Sequence, residues 1–584
     1  MSDRKTPVVL HLDQLSVGTL HAHEGARDGE VDTGEGQASA GQWLYRDVNL
    51  SAHQGEIVLI LGASGSGKSL LMNLLIGKVR AHAERLYIPQ GQVTLCGEQL
   101  IGVPYPESLI GDIGVLFQGL GLLEDLTARQ NLQFAYDHAT HPPQRVGDRD
   151  LLDEIAEELG LLKHLTRPVS ELSGGQRQRV GVARLLAFGA KVMVFDEPTS
   201  ALDPLASARV VELIAEAHER AESALTLIIT HDYERFFSIA DQVWQIQPDR
   251  TIKASYPSAE GRFEPTEYRS ALRAPERVAP IHLGEAERVT HIARQRDLAL
   301  RESLTRLPER VSKGLRLMGK PKRLYWGLTY GLNLFKEVVL KGLVFHISAG
   351  FLIGLIATYF AFNSKMGTVI LNQLPELSVG PGDAGQDTIK VSQFILPTFF
   401  KEMLAGFSVV MYRALIPLFT CVFIAARGGT AATAYLSAMR DPSRSEWDAL
   451  RSFGVNPHLF FLTQLTLTFS LGCMILSSLS FLSASLGSLV TSLWTNELCD
   501  VKLWWGAYAK GLGVSAQQWL PDGTLPMLLK AGMSGLCIAL ISHGYGARNR
   551  TRAQEVMTNL TKSNVWSVLL TLLVFFVVLV WENA

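Results

Sequence analysis

The stretch Gly62-Ala63-Ser64-Gly65-Ser66-Gly67-Lys68-Ser69 has residue types and spacing suited to one task, holding a chain of phosphates. Gly62, Gly65 and Gly67, with Ser64 between them, free the backbone to wrap its N–H groups around phosphate oxygens. Lys68 reaches the β- and γ-phosphates, and Ser69 offers a hydroxyl to Mg²⁺, so the ligand pair expected here is ATP and Mg²⁺. Such a loop must leave a strand and open a helix. The apolar runs Ile57 to Leu61 before it and Leu70 to Ile76 after it supply both. A second group follows downstream: Leu172-Ser173-Gly174-Gly175-Gln176, then the apolar run Val192 to Phe195 that ends in Asp196-Glu197. Gln118 follows Val115-Leu116-Phe117, Asp203 closes Ser200-Ala201-Leu202-Asp203, and His231 follows Ile228-Ile229-Thr230.

This order of motifs resembles the ATPase domain of ABC transporters over roughly residues 8–250. The resemblance implies that Asp196 holds Mg²⁺, directly or through water, and that Glu197 polarises the attacking water as general base. It makes Gln118 the glutamine that ligates Mg²⁺ and the water and touches the membrane domain, and His231 the histidine that contacts the γ-phosphate. Taken singly, these residues read as a solvated loop, a surface glutamine and a strand-end cap; the ordered set favours catalysis. Ser173, Gly174 and Gly175 are the family's signature, which faces the γ-phosphate held by a second copy of the domain, and the resemblance counts Gln176 and Asp203 among the nucleotide-binding residues. One loop and one signature per chain then build half of each of two sites, so a symmetric homodimer is expected. The family usually stacks adenine on an aromatic residue some twenty positions before the loop. That neighbourhood holds a Gly- and acid-rich insertion, Glu24 to Gly41, and the nearest aromatics are Trp43 and Tyr45. Trp43 is the candidate platform, and both aromatics read equally well as strand residues.

At 584 residues the chain needs several domains, and its net charge of −2 gives no nucleic-acid signal. The five cysteines have no paired spacing, which points to neither a disulfide framework nor a zinc site. Met1 to Val8 is polar, so a cleaved signal peptide is not expected and the ATPase should stay in the cytosol. Charge is dense before about residue 325 and sparse afterwards. Arg262 to Arg323 reads as a solvated helical linker whose basic end also suits an anionic membrane face. Tyr325 to Val339 reads as an interfacial helix. Five spans follow: Gly342 to Phe362, Phe394 to Ala426, Leu459 to about Val490, Met527 to His543 and Val565 to Trp581. The second and third exceed one straight crossing, so each is expected to include a bent or re-entrant piece. Arg440, Arg444 and Arg451, then Arg548, Arg550, Arg552 and Lys562, put the basic loops inside and the C-terminus outside.

Between spans two and three, Arg427-Gly428-Gly429-Thr430-Ala431-Ala432 leads to Met439 and then to Asp448-Ala449-Leu450-Arg451-Ser452-Phe453-Gly454-Val455-Asn456-Pro457. With Arg413-Ala414-Leu415-Ile416-Pro417 upstream, this resembles the MlaE-type permeases of Mla/MCE lipid-transport systems over roughly residues 325–584. Ala414 and Tyr435 stand where that family usually has acids, so any role of those acids cannot be carried over. Glu446 to Phe453 can form a short amphipathic helix ended by Gly454. It suits either a groove beside Gln118 or the membrane surface. Arg413 is the candidate functional buried charge, while Arg427 reads as interfacial.

The expected architecture is an α/β P-loop ABC ATPase, residues 1–262, a basic linker, 263–324, and an all-α polytopic membrane domain of about five helices, 325–584. The resemblance implies ATP-driven transport of a lipid, a phospholipid by preference, by a fused half-transporter in the bacterial inner membrane. An MCE-type lipid-binding protein would meet its outer face. The alternatives are export of another amphiphile, a class that usually has six spans, and a mechanotransmitter acting on a periplasmic partner, which would normally carry few spans and a large outer domain.

Overall fold

The computed structural model describes residues 7–19, 42–77, 86–101, 106–140, 150–200, 204–221, 224–258, 263, 264, 268, 321–363, 376–378, 388–441, 444–495, 499–514, 520–548 and 553–583. Residues 1–324 with 439–457 form one compact unit, and residues 325–438 with 458–584 form the other.

The first unit is built on two sheets. Strands β1 (Val8–Thr19), β2 (Gln42–His53), β4 (Leu86–Leu95) and β5 (Glu98–Gln99) make an antiparallel sheet in the order β2-β1-β4-β5. Strands β3 (Ile57–Leu61), β6 (Ile113–Leu116), β7 (Val192–Asp196), β8 (Leu225–Ile229), β9 (Gln242–Ile246) and β10 (Ile252–Ser255) make the second, ordered β10-β9-β3-β8-β7-β6. All but the β9–β10 pair run parallel. A parallel strand covered on both faces needs a continuous apolar run. Ile57–Leu61 and Leu225–Ile229 meet that need and are buried throughout. Helices α1 (Lys68–Leu75), α2 (Ala128–His138), α3 (Leu151–Glu158), α4 (Gly174–Phe188) and α5 (Pro204–Arg220) belong to the unit as well. Helix α4 begins at a capping box between Ser173 and Gln176 and stops at Gly189, whose φ of +64° a side chain would resist. Past residue 262, Phe263 and Tyr268 still pack on Phe237 at 5.4 and 5.0 Å. Residues 321–324 of the expected linker already belong to the helix Pro321–Phe335, and residues 265–267 and 269–320 lie outside the described residues, as does the insertion Glu24 to Gly41.

Among the described residues, five helices are long and apolar enough to cross a membrane: Tyr325–Ala361, Phe400–Met439, Pro457–Thr495, Thr524–Gly546 and Gln554–Glu582. Each expected span falls on one of them. The expected interfacial helix at 325–339 is not separate. It runs through a π-helical turn, Lys336–Leu340, directly into the first span, because no Pro or paired Gly interrupts the chain there. Of the bent or re-entrant pieces expected in spans two and three, no re-entrant one is found among the described residues. Span two is one helix carrying π turns at Met411–Leu415 and Ala425–Gly429. Span three is an unbroken α-helix of 39 residues, about 58 Å long at 1.5 Å per residue, against a hydrocarbon core of roughly 30 Å. Its excess length extends it beyond the core instead of folding it back.

Spans one and three meet backbone to backbone. A Cβ on Gly350, Gly354 or Gly487 would come within 2.4 Å of a carbonyl oxygen of the opposite helix. Ser480, Ser483 and Thr491 donate hydroxyl hydrogens across the same seam, to the carbonyls of His346, Ile347 and Leu355. Val344, Leu482, Phe576 and Trp581 turn outward and are exposed, as suits helices solvated by lipid.

Candidate functional site

The neighbouring parallel strands β3, β8, β7 and β6 end side by side, and ligands of such sheets bind beyond those carboxyl ends. Gly62 follows β3, His231 follows β8 after one residue, Asp196 is the last residue of β7, and Gln118 follows β6 after one residue. Sheet order thus gathers residues that lie 169 positions apart in the chain, from Gly62 to His231. Asp203 lies outside the described residues.

In the phosphate loop Gly65 and Gly67 have φ of +77° and +103°, and α1 begins at Lys68. Lys68 is buried and donates to the carbonyls of Gly62 at 2.6 Å and Ala63 at 3.1 Å. Burial pulls its pKa down, and the charges of Glu197 and Asp196 pull it back up. The Ser66 hydroxyl is buried with no hydrogen-bond partner among the described residues. Backbone donors at a helix start, a buried cation and an orphaned hydroxyl fit a polyphosphate. Tyr45 lies behind the loop, fully buried, and its hydroxyl donates to the Gly67 carbonyl. Burial raises its pKa, and a Cβ at Gly67 would strike its ring. Tyr45 is therefore a loop support, with no face free for adenine. Trp43 is half-buried in β2, paired with Gly18, with its ring 5.9 Å from Tyr87 and 5.9 Å from the Arg46 guanidinium.

Glu197 and His231 are brought together. A carboxylate oxygen of Glu197 lies 3.1 Å from His231 Nε2, and the other accepts from the His231 N–H at 3.2 Å. Glu197 holds φ at +51°, a conformation that costs an ordinary residue of order 1 kcal/mol. Its N–H donates to Ile229 at 2.7 Å, which fixes that geometry. Buried Gln178 of α4 donates to the Pro198 carbonyl and ties the following turn to the signature helix. At the start of α4, Ser173 and Gly174 are exposed and Gly175 and Gln176 are half-buried. Ser173 accepts from the Gln176 N–H, Gln176 accepts from the Ser173 N–H at 3.0 Å, and a Cβ on either glycine would meet nothing within 4 Å. Gln118 is exposed.

The helix Glu446–Ser452 packs inside this same unit, against the segment after Gln118. Gly121 donates to the Arg444 carbonyl at 3.1 Å, and Arg444 pairs with Glu124 at 2.9 Å. A Cβ on Gly121 would come within 2.8 Å of the Ala449 methyl. Trp447, Leu450 and Phe453 are buried, as the spacing predicts, with Arg440 over the Trp447 ring at 5.0 Å. Gly454, φ +73°, ends the helix. Sequence reasoning missed Glu446, which is buried as well. Burial, with Glu124 and Asp125 adding repulsion, pushes its carboxyl from 4.5 to about 8, while Arg444 and the Glu124 N–H oppose the shift.

In the membrane unit Arg413 does not stand alone. Glu582 lies 3.4 Å from Arg413 and 2.6 Å from Lys530, and Lys530, 0% exposed, also donates to the Arg413 carbonyl at 2.9 Å. Arg427 is exposed. Lys530 and Glu582 gave no signal in the sequence, because each looks like the charged end of a span.

A profile of the family described as ABC transporter matches residues 45–200, and one described as Permease MlaE matches residues 383–581. The methionine import ATP-binding protein MetN of Caulobacter vibrioides is 35% identical over 38% of this chain and 64% of its own length. The chain thus spans under two thirds of that relative, and 59% of a second MetN, from Carboxydothermus hydrogenoformans. The ATP-binding protein HrtA of Staphylococcus haemolyticus is 34% identical over 36% of this chain and 92% of HrtA. Among solved structures, the ATP-binding cassette MJ0796 with ADP and Pi is 22% identical, with a TM-score of 0.34, over 42% of this chain and 98% of that one. The chain belongs to the ABC transporter family, with an ABC-type ATP-binding domain fused ahead of an MlaE-type permease region.

Proposed function

We propose that two copies of this chain form an ATP-driven lipid transporter of the bacterial inner membrane, with phospholipid as cargo. The reading rests on the Glu446–Ser452 helix: the segment that most resembles MlaE-type permeases is the one that packs beside Gln118. Ser69, Asp196 and Gln118 hold Mg²⁺, which neutralises charge developing on the phosphates. Gly62, Ser64, Gly65, Gly67 and Lys68 bind the phosphates, and Trp43 takes adenine. Glu197 accepts a proton from the attacking water, and His231 orients Glu197 and contacts the γ-phosphate. The open face of Ser173 to Gln176, with Asp203, closes on the partner copy's nucleotide. The basic loops Arg440 to Arg451 and Arg548 to Lys562 put the ATPase inside and the C-terminus in the periplasm. There an MCE-type lipid-binding chain would meet the permease.

Purified dimer in liposomes carrying labelled phospholipid tests this reading. ATP-dependent transfer to an acceptor, with phospholipid found by mass spectrometry of the purified protein, is expected. No transfer, with another amphiphile co-purifying, overturns the cargo. For the dimer, Ser173→Arg and Lys68→Ala chains mixed together should regain ATPase activity that neither has alone. Mixed dimers that form and stay inactive overturn the shared site.

A further inference from the structure

Arg184 lies where three segments of the ATPase unit meet. It belongs to α4, the helix capped by Ser173, and its side chain is 1% exposed. The guanidinium donates to the carbonyl of Leu120 at 2.7 Å and to that of Gly121. Both residues hold left-handed backbone, φ +62° and +58°, just beyond Gln118. The same group lies over the ring of Phe453, 5.2 Å from its centroid. Phe453 ends the Glu446–Ser452 helix and meets Phe188 of α4 edge-on at 4.9 Å and Phe134 of α2 at 5.8 Å.

A guanidinium is a rigid planar fork, so two carbonyls on one edge fix its plane as well as its position. An aromatic face attracts that cation over a narrow range of placements. If the 119–121 loop shifts relative to α4, the fork must tilt, and the placement of Phe453 that suits it changes. We infer that Arg184 is a positioning residue that makes the 119–121 loop and the Glu446–Ser452 helix respond together, so that nucleotide state at Gln118 reaches the segment between spans two and three. This rests on the proposal that the helix couples ATPase to permease. The sequence offers no sign of it, because Arg184 and Phe453 are distant in the chain and only folding joins them.

The test uses the full-length dimer with Glu197→Gln, so that bound ATP persists. Hydrogen exchange of residues 439–457 is compared with and without ATP. The parent should show an ATP-dependent change in protection. Phe453→Leu, which keeps bulk and loses the aromatic face, should lose it, and Phe453→Trp should restore it. Arg184→Lys, which keeps charge and loses the fork, should lose it too, and Arg184→Lys with Phe453→Leu should be no worse than either alone. Equal ATP-dependent changes in all variants, or no rescue by Trp, overturns the inference. With natural Glu197, both single variants should keep ATP KM and ATPase kcat within about twofold while lipid transferred per ATP falls by about tenfold or more. ATPase loss in step with transfer would show a merely structural role. If the parent moves no lipid yet its ATP-dependent protection change depends on Arg184 and Phe453, the cargo reading fails and this inference stands.

Discussion

Two carboxylates of the ATPase unit, Glu197 and Glu446, face opposite problems. Glu197 sits at a strand end, 16% exposed, with a histidine against it, in a conformation held by a neighbouring strand. Glu446 sits at the contact with the inter-span helix, 2% exposed, with Glu124 and Asp125 nearby. In the proposed mechanism the first takes the proton of the attacking water. The other is arranged so that its neutral form fits best. The same functional group thus meets an exposed histidine at one place and a buried helix contact at the other, and burial and neighbours set the difference.

The largest effect should come from removing the first. Glu197→Gln keeps the shape and loses the base, so phosphate release should fall by about 10²–10⁴ while ATP binding persists. Near-normal steady-state turnover would place the base elsewhere. The next effect breaks the docking side. Leu450→Asp with Phe453→Asp puts two charges into a dry contact, at a cost of several kcal/mol. Lipid transfer in liposomes should collapse with nucleotide binding intact, and unchanged transfer would leave the segment as a surface helix.

A smaller effect sharpens the contrast through pH. The docked Glu446 carboxyl titrates near 8, against an ordinary 4.5 when free. The docked form therefore holds its proton more tightly, so docking is most favourable below about pH 4.5 and weakens as pH rises toward 8. Each unit in that window removes about 1.4 kcal/mol at most. Glu446→Gln, fixed in the neutral form, should unfold at a temperature that gains on the natural chain as pH goes from about 6 to about 8. A difference that stays constant across that range would show that Glu446 docks as a carboxylate. The smallest effect concerns the nucleotide base: Trp43→Ala removes a stacking face worth about 0.5–1.5 kcal/mol, so ATP KM should rise several-fold with kcat kept. An unchanged KM would assign Trp43 to the sheet alone.

What could be read in advance follows from how chemistry is written into a chain. Phosphate cradling needs contiguous residues, so Gly62 to Ser69 and Ser173 to Gln176 are legible as strings. The helix at 446–453 is legible because Trp447, Leu450 and Phe453 recur at helical spacing. Glu446, Arg184 and the Lys530–Glu582 pair are not, since their meaning depends on partners such as Glu124, 320 positions from Arg444. The helix Val501–Gly511, between spans three and four, also escaped notice. It is only 11 residues long and is set by an Asp500 cap and by Gly511 lying against Ala405, neither of which makes a long apolar period. The third span misled through length alone, because nothing in its sequence forbids a helix from outrunning the bilayer.

The seam between spans one and three has a mechanical consequence. With Gly350, Gly354 and Gly487 against opposing backbone, and three hydroxyls crossing the joint, the two helices have no compressible side-chain layer between them. Sliding one past the other would drive carbonyl into Cα, so they behave as one stiff beam. In the transport proposed above, any motion that opens a path for cargo would carry the two helices together.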